Sequence, residues 1–286
     1  MASFLKVHKE PYPALSKAVE GSPLAGKSFL VTGAGRGIGE HIARQIATAG
    51  AGRVGIIGRD KTRIFAAKER FEKNHPHTKF EAFAADINDE AAVSTVFETF
   101  GVPDVLINNA GHFADEGPFV DQDLSKWWSG FEINILGTAV VTQQFLRARA
   151  KAPAKAALVL NVSSMATHFR FPLIGWSGYT GSKLGQARIF EHIRFEHPDV
   201  NFVNVHPGNI PTDGYARTGA DTPPDGWTDG TLAGQFYAWL ASTDAEFLSG
   251  RFVWAEWDID ELKAKKAEIV EKDLLRTTID GLVAGF

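Results

Sequence analysis

Tyr179 and Lys183 stand four residues apart in Tyr-Thr-Gly-Ser-Lys, a spacing that puts both side chains on one face of a helix. An ammonium beside a tyrosine favours the phenolate and lowers a pKa of about 10 toward the working range. A tyrosine so placed can give a proton to a carbonyl oxygen or take one from an alcohol. Such a pair alone is common on protein surfaces, so its company matters. Ser163-Ser164 and Asn134, within Asn-Ile-Leu-Gly, lie upstream, and Asn108-Asn109-Ala110-Gly111 lies earlier still. His206-Pro207-Gly208 follows. Near the start is Thr32-Gly33-Ala34-Gly35-Arg36-Gly37-Ile38-Gly39. Glycines at 33, 37 and 39 let the chain turn tightly, approach a pyrophosphate and pack a helix on a strand. The helix that follows offers free N–H donors and a positive dipole end. The spacing is G-x-x-x-G-x-G, not the G-x-G-x-x-G of the common dinucleotide fingerprint.

These segments fall at the ends of short apolar runs, which read as strands: 29–31, 54–57, 80–84, 105–107, 157–160 and 202–205. Helical stretches alternate with them, reaching about Thr48 and covering 61–74, about 90–100 and 179–195. A long amphipathic segment, about 124–150, carries Trp127, Phe131, Leu136, Val140 and Phe145 at helical spacing. Strands alternating with helices imply a parallel sheet covered on both faces, an α/β, Rossmann-type doubly wound fold of about seven strands. Its strand ends would gather the motifs on one rim. Residues 1–26 lack periodicity and read as an N-terminal arm, and 27–286 as a single domain. Within it, 207–230 is rich in Pro, Gly, Asp and Thr and reads as a substrate loop. Residues 252–254 are a candidate last strand, and 258–272 a charged surface helix.

Composition narrows the possibilities. A chain of 286 residues buries enough surface to need no disulfide or metal staple. The formal charge of −4 argues against a general nucleic-acid binder. Cysteine is absent, which removes thiolate nucleophiles and Cys-ligated metals. No segment has the length of apolar chain that spans a membrane, and no signal peptide or targeting tail is evident. The expectation is a cytoplasmic protein. Gly21–Ser28 matches P-loop spacing but precedes a strand, and Asn161-Val162-Ser163 matches a glycosylation sequon at the end of a buried strand; both read as coincidences. His192, Glu196 and His197 read as a solvated helix face, so no metal is expected.

Taken together, these motifs resemble those of the short-chain dehydrogenase/reductase family, from Thr32 to Thr212 in the family's order. The resemblance implies a nicotinamide-dependent enzyme acting on CH-OH/C=O, with a small-molecule carbonyl or alcohol as substrate. It implies that Tyr179 moves the proton, Ser164 holds the substrate oxygen, Lys183 also binds the nicotinamide ribose, and Asn134 holds a water of the proton relay. The gap from Ser164 to Tyr179 is longer than the family's usual one, which leaves Ser163 as the fallback. The implied cofactor contacts are Gly33, Gly35, Arg36, Gly37, Ile38, Gly39, Asp86, Ile87, Asn109, Ala110, Gly111, Pro207, Gly208, Ile210 and Thr212, with Asn134, Tyr179 and Lys183. Asn108 or Asn109 could instead tie strands together. The second strand ends Ile57-Gly58-Arg59-Asp60. Arg59 and Arg36 suit a 2′-phosphate, hence NADP(H), whereas a two-residue slip would make Asp60 an NAD-type ribose ligand.

His112, His168 and Trp176 flank the motifs as candidate pocket walls. Trp127, Trp128 and Phe131 read as core or interface, and a homodimer or homotetramer is expected. The arm around Pro11–Ser16 and the tail Phe252–Leu262 are similar to filamentous-fungal members of the family, which suggests secondary metabolism or detoxification. A dehydratase or epimerase using the same tyrosine, and a non-catalytic NADP-sensing regulator, are the alternatives.

Overall fold

The computed structural model describes residues 4–113, 117–152, 156–168, 174–216, 222–223 and 225–278. Its seven strands are β1 (Ser28–Thr32), β2 (Arg53–Gly58), β3 (Lys79–Ala84), β4 (Val105–Asn108), β5 (Ala157–Val162), β6 (Val200–His206) and β7 (Phe252–Trp254). They form one parallel sheet in the order β3-β2-β1-β4-β5-β6-β7. This is a doubly wound Rossmann-type fold. The strand order reverses between β1 and β4, and a ligand crevice opens beyond the carboxyl ends of strands at such a point.

The inner strands are buried on both faces, which is why they read as apolar runs instead of alternating ones. Along β1, Phe29 and Val31 enter one core cluster and Leu30 the other. The first cluster holds α2 (Gly37–Thr48) and α9 (Gly230–Leu240); the second holds α4 (Glu90–Phe100) and α6 (Thr138–Ala150). Helix starts are fixed by aspartates. Asp60 caps α3 (Lys61–Asn74), Asp89 caps α4, Asp123 caps α5 (Leu124–Phe131) and Asp229 caps α9, each accepting from a first-turn amide.

Three expectations change. The long helix is not continuous: a π-helical turn, Glu132–Gly137, separates α5 from α6. Asn134 lies inside it, and π turns are rare and concentrate at functional sites. The arm contains a helix, α1 (Pro13–Ala18), and its Leu5, Tyr12, Leu15, Val19 and Leu24 are buried in the first core cluster. The tail helix is two short ones, α10 (Ile259–Ala264) and α11 (Lys266–Glu271), which bury Ile259, Leu262 and Ile269 against that core. Helices α7 (Ser177–Glu196) and α8 (Asp213–Ala216) complete the frame of the crevice. Asn161 is fully buried and Lys27 donates to the Ala241 carbonyl, so neither the sequon nor the P-loop match has a free site.

Candidate active site

A cavity of about 990 Å³ lies at the carboxyl ends of the strands. Its floor starts with the glycine turn after β1. Gly33 takes a φ of +67°, and a Cβ there would stand 2.9 Å from the Ala110 Cα, so the turn packs against the loop after β4 with no room for a side chain. Thr32 Oγ1 accepts from the amides of Asn109 and Ala110 at 3.0 and 2.9 Å, and Asn109 Nδ2 donates to the carbonyls of Thr32 and Gly33 at 2.8 and 3.1 Å. Asn109 therefore ties the two loops together while also lining the cavity. Asn108 points away and donates to Thr142 Oγ1 at 2.9 Å.

At the end of β2 three arginines line the wall, each beside a carboxylate. Arg59 lies 3.7 Å from Asp86, and Arg36 pairs with Asp213. Both pairs are largely exposed, so they are weak and exchangeable. Arg63, which the sequence reading missed, also lines this end, its stem packed against Gly35. Its place on the first turn after the Asp60 cap was the available signal. The Asp60 carboxylate is already engaged, accepting from the Arg63 amide at 3.0 Å.

At the opposite end stands Tyr179. Its hydroxyl is hydrogen-bonded to Ser164. Ser164 Oγ also accepts from the Ala166 amide at 3.2 Å. Lys183 is buried and donates to the Val162 carbonyl at 2.9 Å and to Gln186 Oε1 at 3.4 Å. Burial pulls its pKa down to about 8. Burial also pushes Tyr179 up, partly offset by the Ser164 hydrogen bond. This is opposite to the direction expected from the Tyr-Lys spacing. Desolvation penalises both charged forms, and for Tyr179 it outweighs every opposing effect. Tyr179 therefore holds its proton at neutral pH.

Asn134 is fully buried. Its Oδ1 accepts from the His112 amide at 2.8 Å, and its Nδ2 donates to the His112 carbonyl at 2.8 Å and to Ser182 Oγ at 2.9 Å. A Cβ on Gly111 would lie 3.2 Å from Asn134 Oδ1 and 3.4 Å from Lys183 Nζ, so these groups converge on one small gap. The extra residue of the π turn is what turns Asn134 inward between the Gly111 loop and α7.

Every expected contact lines the cavity except Gly39 and Asn134. Gly39 is buried under the turn, where a Cβ would meet the Asn109 amide and the Gly33 carbonyl, so its role is packing. His112 and Trp176 are on the wall, with Phe113 between Trp176 and Tyr179 at ring separations of 4.9 and 4.8 Å. His168 is not on it; it packs against Phe252 and Trp254. His206 is on the wall, neutral, with burial holding its pKa near 3 and Nδ1 accepting from the Met165 amide at 3.2 Å. Part of the expected substrate loop, 217–221 and 224, lies outside the described residues, as does 169–173. No cluster able to hold a metal, and no helix long and apolar enough to cross a membrane, occurs among the described residues.

Comparison with known proteins agrees with this geometry. The sequence profile of the short chain dehydrogenases matches residues 27–222. The short chain dehydrogenase/reductase AacuD of Aspergillus aculeatus is 33% identical over 280 residues, covering 96% of this chain and 95% of that protein. The short chain dehydrogenase citE of Monascus ruber is 29% identical, with the same shares covered. Among solved structures, Pseudomonas aeruginosa RhlG in complex with NADP superimposes with a TM-score of 0.72 at 25% identity, covering 81% of this chain and 95% of that one. A 7α-hydroxysteroid dehydrogenase bound to NADH and a 7-oxo bile acid gives 0.72 at 22% identity, covering 86% and 97%. Gly-rich turn, buried lysine, serine-bonded tyrosine and profile together make this chain a member of the short-chain dehydrogenase/reductase family of oxidoreductases.

Proposed function

We propose that the protein is an NADP(H)-dependent oxidoreductase that interconverts a carbonyl and a secondary alcohol on a small organic substrate. The observation that carries this reading is the Tyr179 hydroxyl on the cavity wall, hydrogen-bonded to Ser164, with Lys183 lining the same cavity.

The cavity suits a dinucleotide. The turn at Gly33–Gly37 leaves backbone where a side chain would obstruct a pyrophosphate, and α2 opens with its N-terminus toward the cavity. Asp86 and Ile87 would flank an adenine, Asn109 to Gly111 the middle of the cofactor, and Pro207, Gly208, Ile210 and Thr212 the nicotinamide end. Arg36, Arg59 and Arg63 favour a 2′-phosphate, and the capping role of Asp60 leaves its carboxylate less able to receive a ribose hydroxyl. When bound, the nicotinamide supplies or accepts the hydride.

The chain's own residues handle the proton. Ser164 would donate to the substrate oxygen and orient it toward Tyr179. Tyr179 would then give its proton to that oxygen as negative charge develops there, or take one from the alcohol in reverse. The Lys183 ammonium stabilises the phenolate left behind, a charge that burial alone would oppose. Asn134, fixed on the His112 backbone, would hold a water beside Lys183 that passes a proton in from solvent. A homo-oligomer formed through α5 and α7 belongs to the same proposal. Both helices expose apolar side chains, among them Trp128, Leu184 and Phe195.

The test is NADPH consumption against a panel of ketones and aldehydes, followed at the nicotinamide absorbance band. Product formation without NADPH consumption would make the protein a dehydratase or epimerase. Cofactor binding with no turnover on any substrate would make it a sensor.

A further inference from the structure

The N-terminal arm reaches the cavity through one side chain. Residues 6–8 run antiparallel to the segment after β7. The Asp258 amide donates to the Lys6 carbonyl at 3.0 Å, the His8 amide donates to the Glu256 carbonyl at 2.7 Å, and Val7 bridges Trp257. Lys9 is thereby carried over the ends of β6 and β7, where its carbonyl accepts from the Asp229 amide at 2.7 Å. Its ammonium meets two carboxylates, Glu256 Oε1 at 2.7 Å and Asp225 Oδ2 at 2.6 Å. Burial works against the ammonium, but the two carboxylates more than offset it and hold its pKa above the usual lysine value.

Glu256 is only 1% exposed, a charge that is expensive to hold without a partner. The same Oε1 accepts from Thr228 Oγ1. Thr228 in turn clasps Asn209: its Oγ1 accepts from the Asn209 amide at 3.0 Å, and its own amide donates to the Asn209 carbonyl at 2.8 Å. Gly208 lies directly beneath, where a Cβ would stand 2.6 Å from Thr228 Oγ1. Gly208, Asn209 and Asp225 all line the cavity. A continuous set of charged and hydrogen-bonded contacts therefore runs from the arm to the wall.

We propose that Lys9 is a positioning residue for this cavity. Its ammonium, anchored on buried Glu256, fixes both the Gly208–Asn209 turn and Asp225, so the arm as well as the sheet sets the shape of the substrate end. Lys9 touches no reacting atom. It acts through Glu256, Thr228 and Asp225 on a turn where the nicotinamide end of the cofactor and the substrate would meet. The kinetic half of the test rests on the oxidoreductase reading; the exchange half does not.

Four variants of the full chain decide it: Lys9→Met, Lys9→Arg, Asp225→Asn and the double Lys9→Met/Glu256→Gln. Each is followed by thermal unfolding, by amide hydrogen exchange over 207–213 and 225–229, and by steady-state kinetics on a ketone found with the panel above. Lys9→Met should lower Tm, because it strands a buried carboxylate. The double variant removes that charge and should recover most of the Tm, yet keep fast exchange at Thr228 and Asp229 and a KM raised roughly tenfold, with kcat within about threefold. Asp225→Asn should raise KM at wild-type Tm, and Lys9→Arg should restore wild-type behaviour. Wild-type exchange at Thr228 and Asp229 in the double variant, or a wild-type KM there or in Asp225→Asn, overturns the proposal. If wild type reduces no carbonyl, the oxidoreductase reading falls and the exchange data still decide the role of Lys9.

Discussion

Tyr179→Phe takes one oxygen from the cavity wall and little else. The ring keeps its neighbours, Phe113 at 4.8 Å and Trp176 at 5.8 Å between centroids. The structural loss is the hydrogen bond to Ser164, worth about 1 kcal/mol net. Part of that returns, because a buried hydroxyl no longer has to be desolvated. Stability should therefore change by no more than about 1 kcal/mol. The chemical loss is larger by several-fold. A positioned acid–base group contributes roughly 10²–10⁴ in rate, or about 3–5 kcal/mol of barrier. The two effects separate cleanly. The variant should fold, melt near wild type and bind NADPH within about twofold, while turnover of a carbonyl substrate falls by at least roughly a hundredfold. The assays are thermal unfolding, nicotinamide fluorescence titration and NADPH oxidation on the same preparation. Turnover within about threefold of wild type would place the proton donor elsewhere and remove the basis for the proposed function.

The proposed cofactor preference is tested at the three arginines of the wall. One charged hydrogen bond to a 2′-phosphate is worth about 1.5–3 kcal/mol, so wild type should bind NADPH roughly 10- to 100-fold tighter than NADH by fluorescence titration. Arg63→Ala should lose about tenfold of that preference. Gly58→Asp should lose most of it, since its Cβ would sit a tolerable 3.3 Å from Ile64 and its carboxylate would repel the phosphate. Equal wild-type affinities would sink the assignment. His206 titrates near 3 when folded and near 6.5 when unfolded, so between these values only the unfolded chain binds the proton. Stability should then be lost as pH falls through that window, by on the order of 5 kcal/mol at its foot. Urea unfolding across the window should show a shallower slope in His206→Asn, and an unchanged slope would refute the role. Light scattering at micromolar concentration should report a dimer or tetramer, and a monomer mass would contradict an interface at α5 and α7.

The fold was legible because each strand of a parallel sheet is short, apolar and buried on both faces. Runs such as Phe29–Val31 and Val105–Ile107 cannot satisfy such positions by any other pattern. The interruption at 132–137 was not legible. Phe131, Leu136 and Val140 stand five and four residues apart, and the one-residue excess of the first step is small beside the scatter of a helical pattern. The arm was misread for a related reason. Leu5, Tyr12 and Leu15 are too few to show periodicity, yet each fills a place in a core assembled from the rest of the chain.

The site divides along the same line. Features set by neighbours in sequence were readable, as with the glycine turn after β1 and the placing of Tyr179 and Lys183 on one helix. Contacts made by the fold were not. Arg63 reaches the cavity because α3 starts where β2 ends, and Lys9 meets Glu256 across 247 positions of chain. The Tyr179 proton affinity shows the limit most clearly. Spacing alone says that a nearby ammonium lowers it, but the sign depends on how much water the fold removes from each partner. Here both groups are buried, and desolvation prevails for both. A tyrosine that keeps its proton until charge builds on the substrate oxygen is better suited to donating than to abstracting. Under the proposed function, the reduction rate should hold through neutral pH and fall only in the alkaline range, where Tyr179 loses its proton.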